Sequence, residues 1–597
     1  MTVYESIYPG AYSYLTPRYY LPVGYQTRIG ELGAALDPRT ANQLSELNTK
    51  LNPGVKHIEL EGISPEIFES IPEQHLEEMK RLAKLTGVSM SVHGPLIEAS
   101  GIGERGWDEA TRLAAEKQLE SAVLRSHKLD PNGNISVTIH STARLPEMIT
   151  KIKEDKERVS SVWVIQPDTG RITEIERGKR FFPQEGKGEG KFTPEKPREL
   201  IPEEEINRLN QNTWSEYLST LNIGITRGEG ILEDVSKELG IPEEKLSETK
   251  KIKIEELKEE DRDVVARAQK AITHGEIYLR DAYRNLKTAF DIAYANSSDE
   301  DREKLKNFAN EIKKYVTEGI ESDPLKLKKV LDEGIRTLEE IKTPKIWKPL
   351  QDFVVEKSAE TFANVALSSY KKFGEKSPII NIENPPAGGG LSRSEDLIKL
   401  IEEAREKFAN KLYGEGVSKS EAKKIAEKLI GATWDVGHIN MLRKKGYSEK
   451  DIIKETEKIA PYVKHVHLSD NFGLEHTELP MGMGNVPLKE MLKKLKEKGF
   501  EGKKIIEAGN WWQHFAEKGG GNPFRPSIEA FDSPVYSVGG APYWSVIGGP
   551  GAYYLGHGPI NPPIHHRVYG SGFETLPLEL GGEIPGDRGR FSETPNQ

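Results

Sequence analysis

The sequence predicts a closed parallel (β/α)8 barrel, a TIM barrel. It also predicts a large mainly helical insertion after strand four and an irregular Gly/Pro/Tyr-rich C-terminal extension. Three observations lead there. Short β-rich runs alternate with amphipathic helical stretches, the pattern of βα units. Eight such runs occur, enough to close a barrel rather than leave an open sheet. Histidines and carboxylates fall at the ends of consecutive runs, and a barrel gathers its strand ends at one mouth.

The first strand is read at 27–36, followed by a helix starting at Asp37, with Asp37 as N-cap and Pro38 at the first helical position. The second strand is 56–62 (KHIELEG). A helix over 64–86 follows and stops at Gly87. The third and fourth strands are 88–95 and 135–142. The fifth is 377–386, preceded by a helix near 357–374. The sixth, seventh and eighth are 432–440, 463–471 and 503–510.

Between strands four and five the alternation breaks. Residues 160–182 read as a β-hairpin with an Asp-Thr-Gly turn, and 183–200 as a Gly, Pro and Lys-rich linker. From about 201 to 345 the pattern is helical and strongly charged, as in a small bundle with solvated outer faces. The expected organisation is an N-terminal arm (1–24), a barrel (25–144 and 351–515), an insertion (145–350) and an extension (516–597). Loops after barrel strands build the active face, so the insertion is expected to act as a lid or substrate platform. The extension is too aromatic for a plain linker. It reads as an arm packing on the barrel or on a neighbouring copy in a homo-oligomer.

Composition narrows the function. Of 597 residues, 36% are hydrophobic, so polar insertions or tails are expected. Charged residues make up 30% and the net charge is −10, which gives no global attraction to nucleic acid or anionic membranes. There is no cysteine, which excludes disulfides and thiolate-bound metals. No apolar run is long enough to span a membrane, and the first residues do not read as a signal peptide, so the expected location is cytoplasmic.

The chemistry lies at the strand ends. Strand three ends in His93 and strand four in His140. Strand five ends in Glu383, and strand six in Asp435 with His438 three residues on. Strand seven ends in His467 and Asp470, and strand eight in Glu507. One histidine at a strand end is an ordinary hydrogen-bonding residue. Acidic and imidazole groups on six consecutive strands are not, because converging carboxylates repel one another unless cations and neutral imidazoles intervene. His57, His75, His127 and His274 lack this pattern and read as structural. His465, two residues before His467, is ambiguous. Carboxylates and imidazoles without thiolates suit Zn2+ first, and also Mn2+, Co2+ or Fe2+.

With these residues in place, the chain resembles the xylose isomerase-like TIM-barrel superfamily, and within it the endonuclease IV-type apurinic endonucleases. The resemblance covers 25–142 and 357–510. It implies that His93 (SVHGP) and His140 (TIHS) are ligands of a multinuclear zinc cluster, with Glu383 (ENPPAGGG) as the bridging glutamate. It further implies ligand roles for Asp435 and His438 (WDVGH), His467 (HLSD) and Glu507 (IIEAG). Where the family carries Asp-Arg-His before a Gly-x-Gly, this chain has His476 and Glu478, an imidazole and a carboxylate in swapped order. One to three metals per chain are therefore expected, with Glu383, Glu507 and His438 as the catalytic residues.

Three functions stay open. The first is a metal-dependent phosphodiesterase acting on abasic or damaged DNA. The second is a sugar isomerase or epimerase using one metal on Glu383, Asp435, His467 and Glu507. The third is a non-catalytic assembly subunit.

Overall fold

The computed structural model of the chain describes residues 23–508, 527, 530 and 531. Within that span it leaves out 26, 28, 52–55, 131–132, 144, 146–149, 152–156, 159–160, 177, 181–197, 200–201, 318–319 and 321–323. The 1–24 arm, the 183–200 linker and the 516–597 extension thus lie almost wholly outside the described residues.

Eight strands close into a barrel: β1 (Leu32–Ala35), β2 (His57–Glu61), β3 (Ser89–His93), β4 (Ser136–His140), β5 (Ile379–Glu383), β6 (Ile430–Asp435), β7 (Val463–Leu468) and β8 (Lys504–Ile506). Each strand pairs in parallel with its neighbours, and β8 returns to β1. The register aligns the functional ends. Glu61 lies opposite His93, His140 opposite Glu383, and Asp435 opposite His467. Ile58, Leu60, Val92, Ile139, Ile382, Trp434, Val466 and Ile505 are fully buried around the barrel.

Local differences from the sequence reading have clear causes. No helix starts at Asp37. Its carboxylate takes Arg39, with Arg39 Nη2 2.6 Å from Asp37 Oδ2, and the helix begins later, at Gln43–Leu51. The helix expected over 64–86 is two. Pro65–Ser70 is capped by Ser64, the chain turns extended at Ile71 and Pro72, and Glu73–Thr86 follows. Proline cannot donate to the preceding turn, so the break falls there. Gly87 ends the second helix with φ 66°, a left-handed conformation suited to glycine. The sixth run is strand only to Asp435, and Val436–Asn440 is a short helix capped by the Asp435 side chain. The helix before β5 starts earlier than read, at Leu350–Phe373. Ser527, Ala530 and Phe531 of the extension are buried, and Ser527 Oγ accepts from Met481 N at 3.1 Å.

The chain divides into two compact units, 1–160 with 351–597, and 161–350. In the second unit, Ser161–Gln166 and Arg171–Glu176 form an antiparallel hairpin, and Lys348–Pro349 adds a third strand. Four main helices follow the hairpin: Pro202–Leu239, Glu259–Asn296, Asp299–Thr317 and Pro324–Glu340. Their apolar stripes close on a core containing Trp214, Leu221, Leu279, Leu286, Val330 and Leu331.

Candidate metal centre

The barrel brings His93, His140, Glu383, Asp435, His467 and Glu507 to its carboxyl mouth. The first four end β3 to β6, His467 is the penultimate residue of β7, and Glu507 directly follows β8. Alternation along a strand turns every second side chain inward, and in a closed barrel inward means toward the shared axis.

Two groups of donors form, and both use Glu383. His93 Nε2 and His140 Nε2 lie 3.2 Å and 3.1 Å from Glu383 Oε2. His467 Nδ1 lies 2.8 Å from Glu383 Oε1 and 2.9 Å from Glu507 Oε1. The ligand atoms of His93, His140 and Glu383 fall within 4.8 Å of one another, and so do those of Glu383, Asp435, His467 and Glu507. Glu383 thus offers one oxygen to each group.

A simple hydrogen-bond network would satisfy these atoms, and this one does not. Glu383 Oε2 is fully buried and has no hydrogen-bond partner, although two imidazole nitrogens stand close to it. His467 Nε2 and Glu59 Oε1 are 2.8 Å apart without hydrogen-bond alignment. One pair of the group, His467 Nδ1 and Glu383 Oε1, is hydrogen-bonded at 2.8 Å. The converging atoms left unbonded around it suit a metal site, and the oxygen and imidazole set fits Zn2+ or a neighbouring first-row ion.

The electrostatics agree. Burial disfavours charge on His93, yet Glu61, Glu383 and Glu507 outweigh it and push the imidazole up to about 10. Burial raises Glu507 well above the usual carboxylate range, with Glu383 and Asp435 adding to the rise. Glu383 goes the other way: burial opposes its charge, but His467 and His140 hold it well below that range. Such a cluster gathers positive charge, whether as protons or as metal cations.

His438 sits on the short helix after β6. Its Nδ1 faces the Asn384 carbonyl at 2.7 Å, and its Nε2 faces His476 Nε2 at 2.9 Å. Glu478 Oε1 is 3.7 Å from His476 Nε2, and Glu478 holds φ at 44°. Of the swapped pair, His476 therefore reaches His438, with Glu478 beside His476. Asn384 ties β5 to β6 by accepting from Asp435 N at 2.9 Å and donating to Asp435 O at 3.0 Å. Asp470 is not among the converging donors. Its carboxylate accepts from the backbone of Asn471, Gly482, Gly484 and Val486.

Sequence reasoning missed Glu59 and Glu61. Both are on β2 and buried, with Glu59 fully so. Glu59, Glu61 and Glu507 form a further convergent group, as do Glu59, His465 and His467. Burial, joined by Glu59 and Glu478, pushes Glu61 up to about 8 against the pull of His93. The signal was available: in KHIELEG, His57, Glu59 and Glu61 share one face at period two. His465, left ambiguous by sequence, bonds Glu59 Oε2 through Nε2 at 2.8 Å.

An uncharacterized protein of Methanocaldococcus jannaschii is 35% identical over 88 residues, 15% of this chain and 29% of that protein. The chain therefore spans under a third of that relative. Among solved structures, a D-psicose 3-epimerase from Clostridium cellulolyticum H10 with D-tagatose is similar at TM-score 0.35 and 9% identity, covering 84% of this chain and 97% of that one. An L-ribulose 3-epimerase is similar at TM-score 0.35 and 9% identity, covering 88% and 97%. No helix among the described residues is long and apolar enough to cross a membrane. Residues 390–523, within the part of the chain that closes the barrel, match the family described as xylose isomerase-like TIM barrel.

Proposed function

We propose that this chain is a divalent-metal-dependent phosphodiesterase of the endonuclease IV type, cleaving DNA at abasic or otherwise damaged sites. The observation that carries the reading is the division of Glu383. Its Oε2 faces His93 and His140, while its Oε1 faces His467 beside Glu507. A single-metal enzyme has no use for the first group. Two cations sharing one carboxylate suit a phosphodiester, which has an attacking and a leaving oxygen to stabilise.

His93, His140 and Glu383 would hold one ion, and Glu383, Asp435, His467 and Glu507 the other. His438, with His476 and Glu478, would bind a third. Zn2+ fits best, and Mn2+, Co2+ or Fe2+ also suit the donors. Bound metals would supply Lewis-acid charge for the phosphate and for water activation. The residues do the rest. The Glu507 side chain keeps 15% exposure and, with bound cations offsetting the burial that raises its proton affinity, would take the proton from attacking water as the water oxygen bonds phosphorus and the P–O bond breaks. His438, its Nδ1 directed to Asn384 O, turns Nε2 toward His476, where the third ion would bind.

A sugar isomerase or epimerase is the second reading. What favours it is the four-ligand group Glu383, Asp435, His467 and Glu507, which is by itself enough to hold a single metal ion. The test pairs metal analysis of purified protein with incision of a duplex carrying one abasic site. Two or three zinc equivalents with strand incision support the phosphodiesterase. One equivalent, no incision and turnover of a ketose would overturn it in favour of the second reading.

A further inference from the structure

Glu59 has no part in the reading above, yet it is among the most enclosed carboxylates of the barrel. It is 0% exposed on β2. Its Oε2 accepts from Ser91 Oγ at 2.6 Å and pairs with His465 Nε2 at 2.8 Å. Ser91 is itself held by His57, whose Nε2 is 2.9 Å from Ser91 Oγ and whose Nδ1 is 2.7 Å from Ser89 Oγ. The other oxygen, Oε1, stands 2.8 Å from His467 Nε2 but is not aligned with it as a hydrogen bond while Nδ1 is bonded to Glu383 Oε1. The opposite nitrogen of that ring, Nδ1, lies among the donors Glu383 and Glu507.

A neutral imidazole carries one N–H and one lone pair, and whichever nitrogen meets a carboxylate keeps the proton. His467 has carboxylates on both sides, so its two nitrogens compete for that proton. The side that receives a cation loses its claim on it. Glu59 is the carboxylate left to take the N–H, and it is anchored by two other side chains rather than free to swing. Ligating histidines are commonly fixed in this way, by a carboxylate on the far ring nitrogen.

We infer that Glu59 is the positioning residue of the metal centre. It keeps the His467 proton on Nε2, turns Nδ1 toward the cation, and is itself fixed by Ser91 and His465. The inference rests on the metal-centre reading of the mouth. Glu59 is not a ligand in it and touches no substrate. Its effect is on how tightly the centre is made.

The test uses the full-length protein, stripped by chelator and titrated with Zn2+ by calorimetry, comparing wild type with Glu59→Gln. The glutamine keeps size and shape but no longer enforces a proton on Nε2. Zinc affinity should fall by about 10- to 100-fold, at unchanged saturating stoichiometry. The melting temperature of the stripped protein is read separately, because a purely structural Glu59 would lower it and leave affinity alone. Affinity within about twofold of wild type, in a variant that melts cooperatively, overturns the inference and leaves the metal centre standing. If Glu59→Gln does not melt cooperatively, Ser91→Ala decides. It retains Glu59 but removes one anchor, and affinity should drop about threefold or more, with no drop overturning the inference. Wild type that takes up no zinc overturns the metal-centre reading itself, and the inference with it.

Discussion

The barrel mouth and the helical unit of residues 161–350 both bury ionisable groups, and they treat them in opposite ways. Among the described residues of the helical unit each buried anion meets a cation. Glu276 pairs with Lys250 at 2.5 Å and Arg280 at 3.4 Å, Glu205 with Arg208 at 2.5 Å, and Asp301 with Lys304 at 3.3 Å. At the mouth, Glu59, Glu61, Glu383, Asp435 and Glu507 converge on imidazoles and on one another. Burying a carboxylate without a fixed cation is costly. A fold keeps such an arrangement where a ligand completes it. The contrast separates charge used to hold a structure from charge held ready for chemistry.

The largest expected effect that bears on this contrast is at Glu383. Glu383→Gln should lower abasic-site incision by about 10^3-fold or more, since the metals supply several kcal/mol of charge stabilisation. It should also cut zinc uptake measured by mass spectrometry. Because His467 and His140 hold Glu383 ionised while the neighbouring buried carboxylates repel it, the metal-free melting temperature should fall only slightly. A marked fall would place Glu383 with the structural charges and erase the contrast. Next in size is Leu279→Ala in the helical unit. Leu279 is 0% exposed in the apolar core, so the change should cost about 2–5 kcal/mol in that unit's denaturant unfolding. Zinc binding should be unaffected, and a parallel loss would mean the two regions are not separable.

The smallest effect is a pH dependence. Burial, with His465 adding to it, lowers His57 from 6.5 to about 3. Between those values the unfolded chain binds a proton that the folded chain refuses. The contribution of neutral His57 is therefore complete above the unfolded value and is lost as pH falls from there toward 3. His57→Gln should flatten the rise of unfolding free energy between about pH 4 and 6 by about one proton. An unchanged slope would show that the inner histidine layer is not what makes the barrel acid-sensitive.

Much of the centre was legible because a barrel converts chain position into spatial position. Once eight strands are recognised, His93, His140, Glu383, Asp435 and Glu507 must share a mouth, since each ends or directly follows a strand. What escaped followed from the same geometry. Glu59 and Glu61 alternate with Ile58 and Leu60, and in an open sheet that pattern reads as a solvated face. A closed barrel has no solvated inner face, so the charges of β2 belong to the site. Asp37 misled because an acidic residue before proline reads as a helix cap, and Arg39 two residues on offered its carboxylate a stronger partner. The pairing of His476 with His438 could not be read from sequence, because it depends on how the loop after β7 folds back.

That loop is drawn in by Asp470. Its carboxylate receives the amides of Gly482, Gly484 and Val486 along with that of Asn471. A side chain on Gly484 would meet Asp470 Oδ1 at 2.3 Å, so the approach depends on glycine there. Successive amides around a concavity are a common receptor for phosphate. Here the receptor is filled by an anion from its own chain. Under the phosphodiesterase proposal, a substrate phosphate would find no amide cradle in this segment and would have to be gripped through the cations and whatever basic side chains face it. On that proposal, specificity would follow the spacing of the ions that Glu383 would bridge more than the shape of the loops.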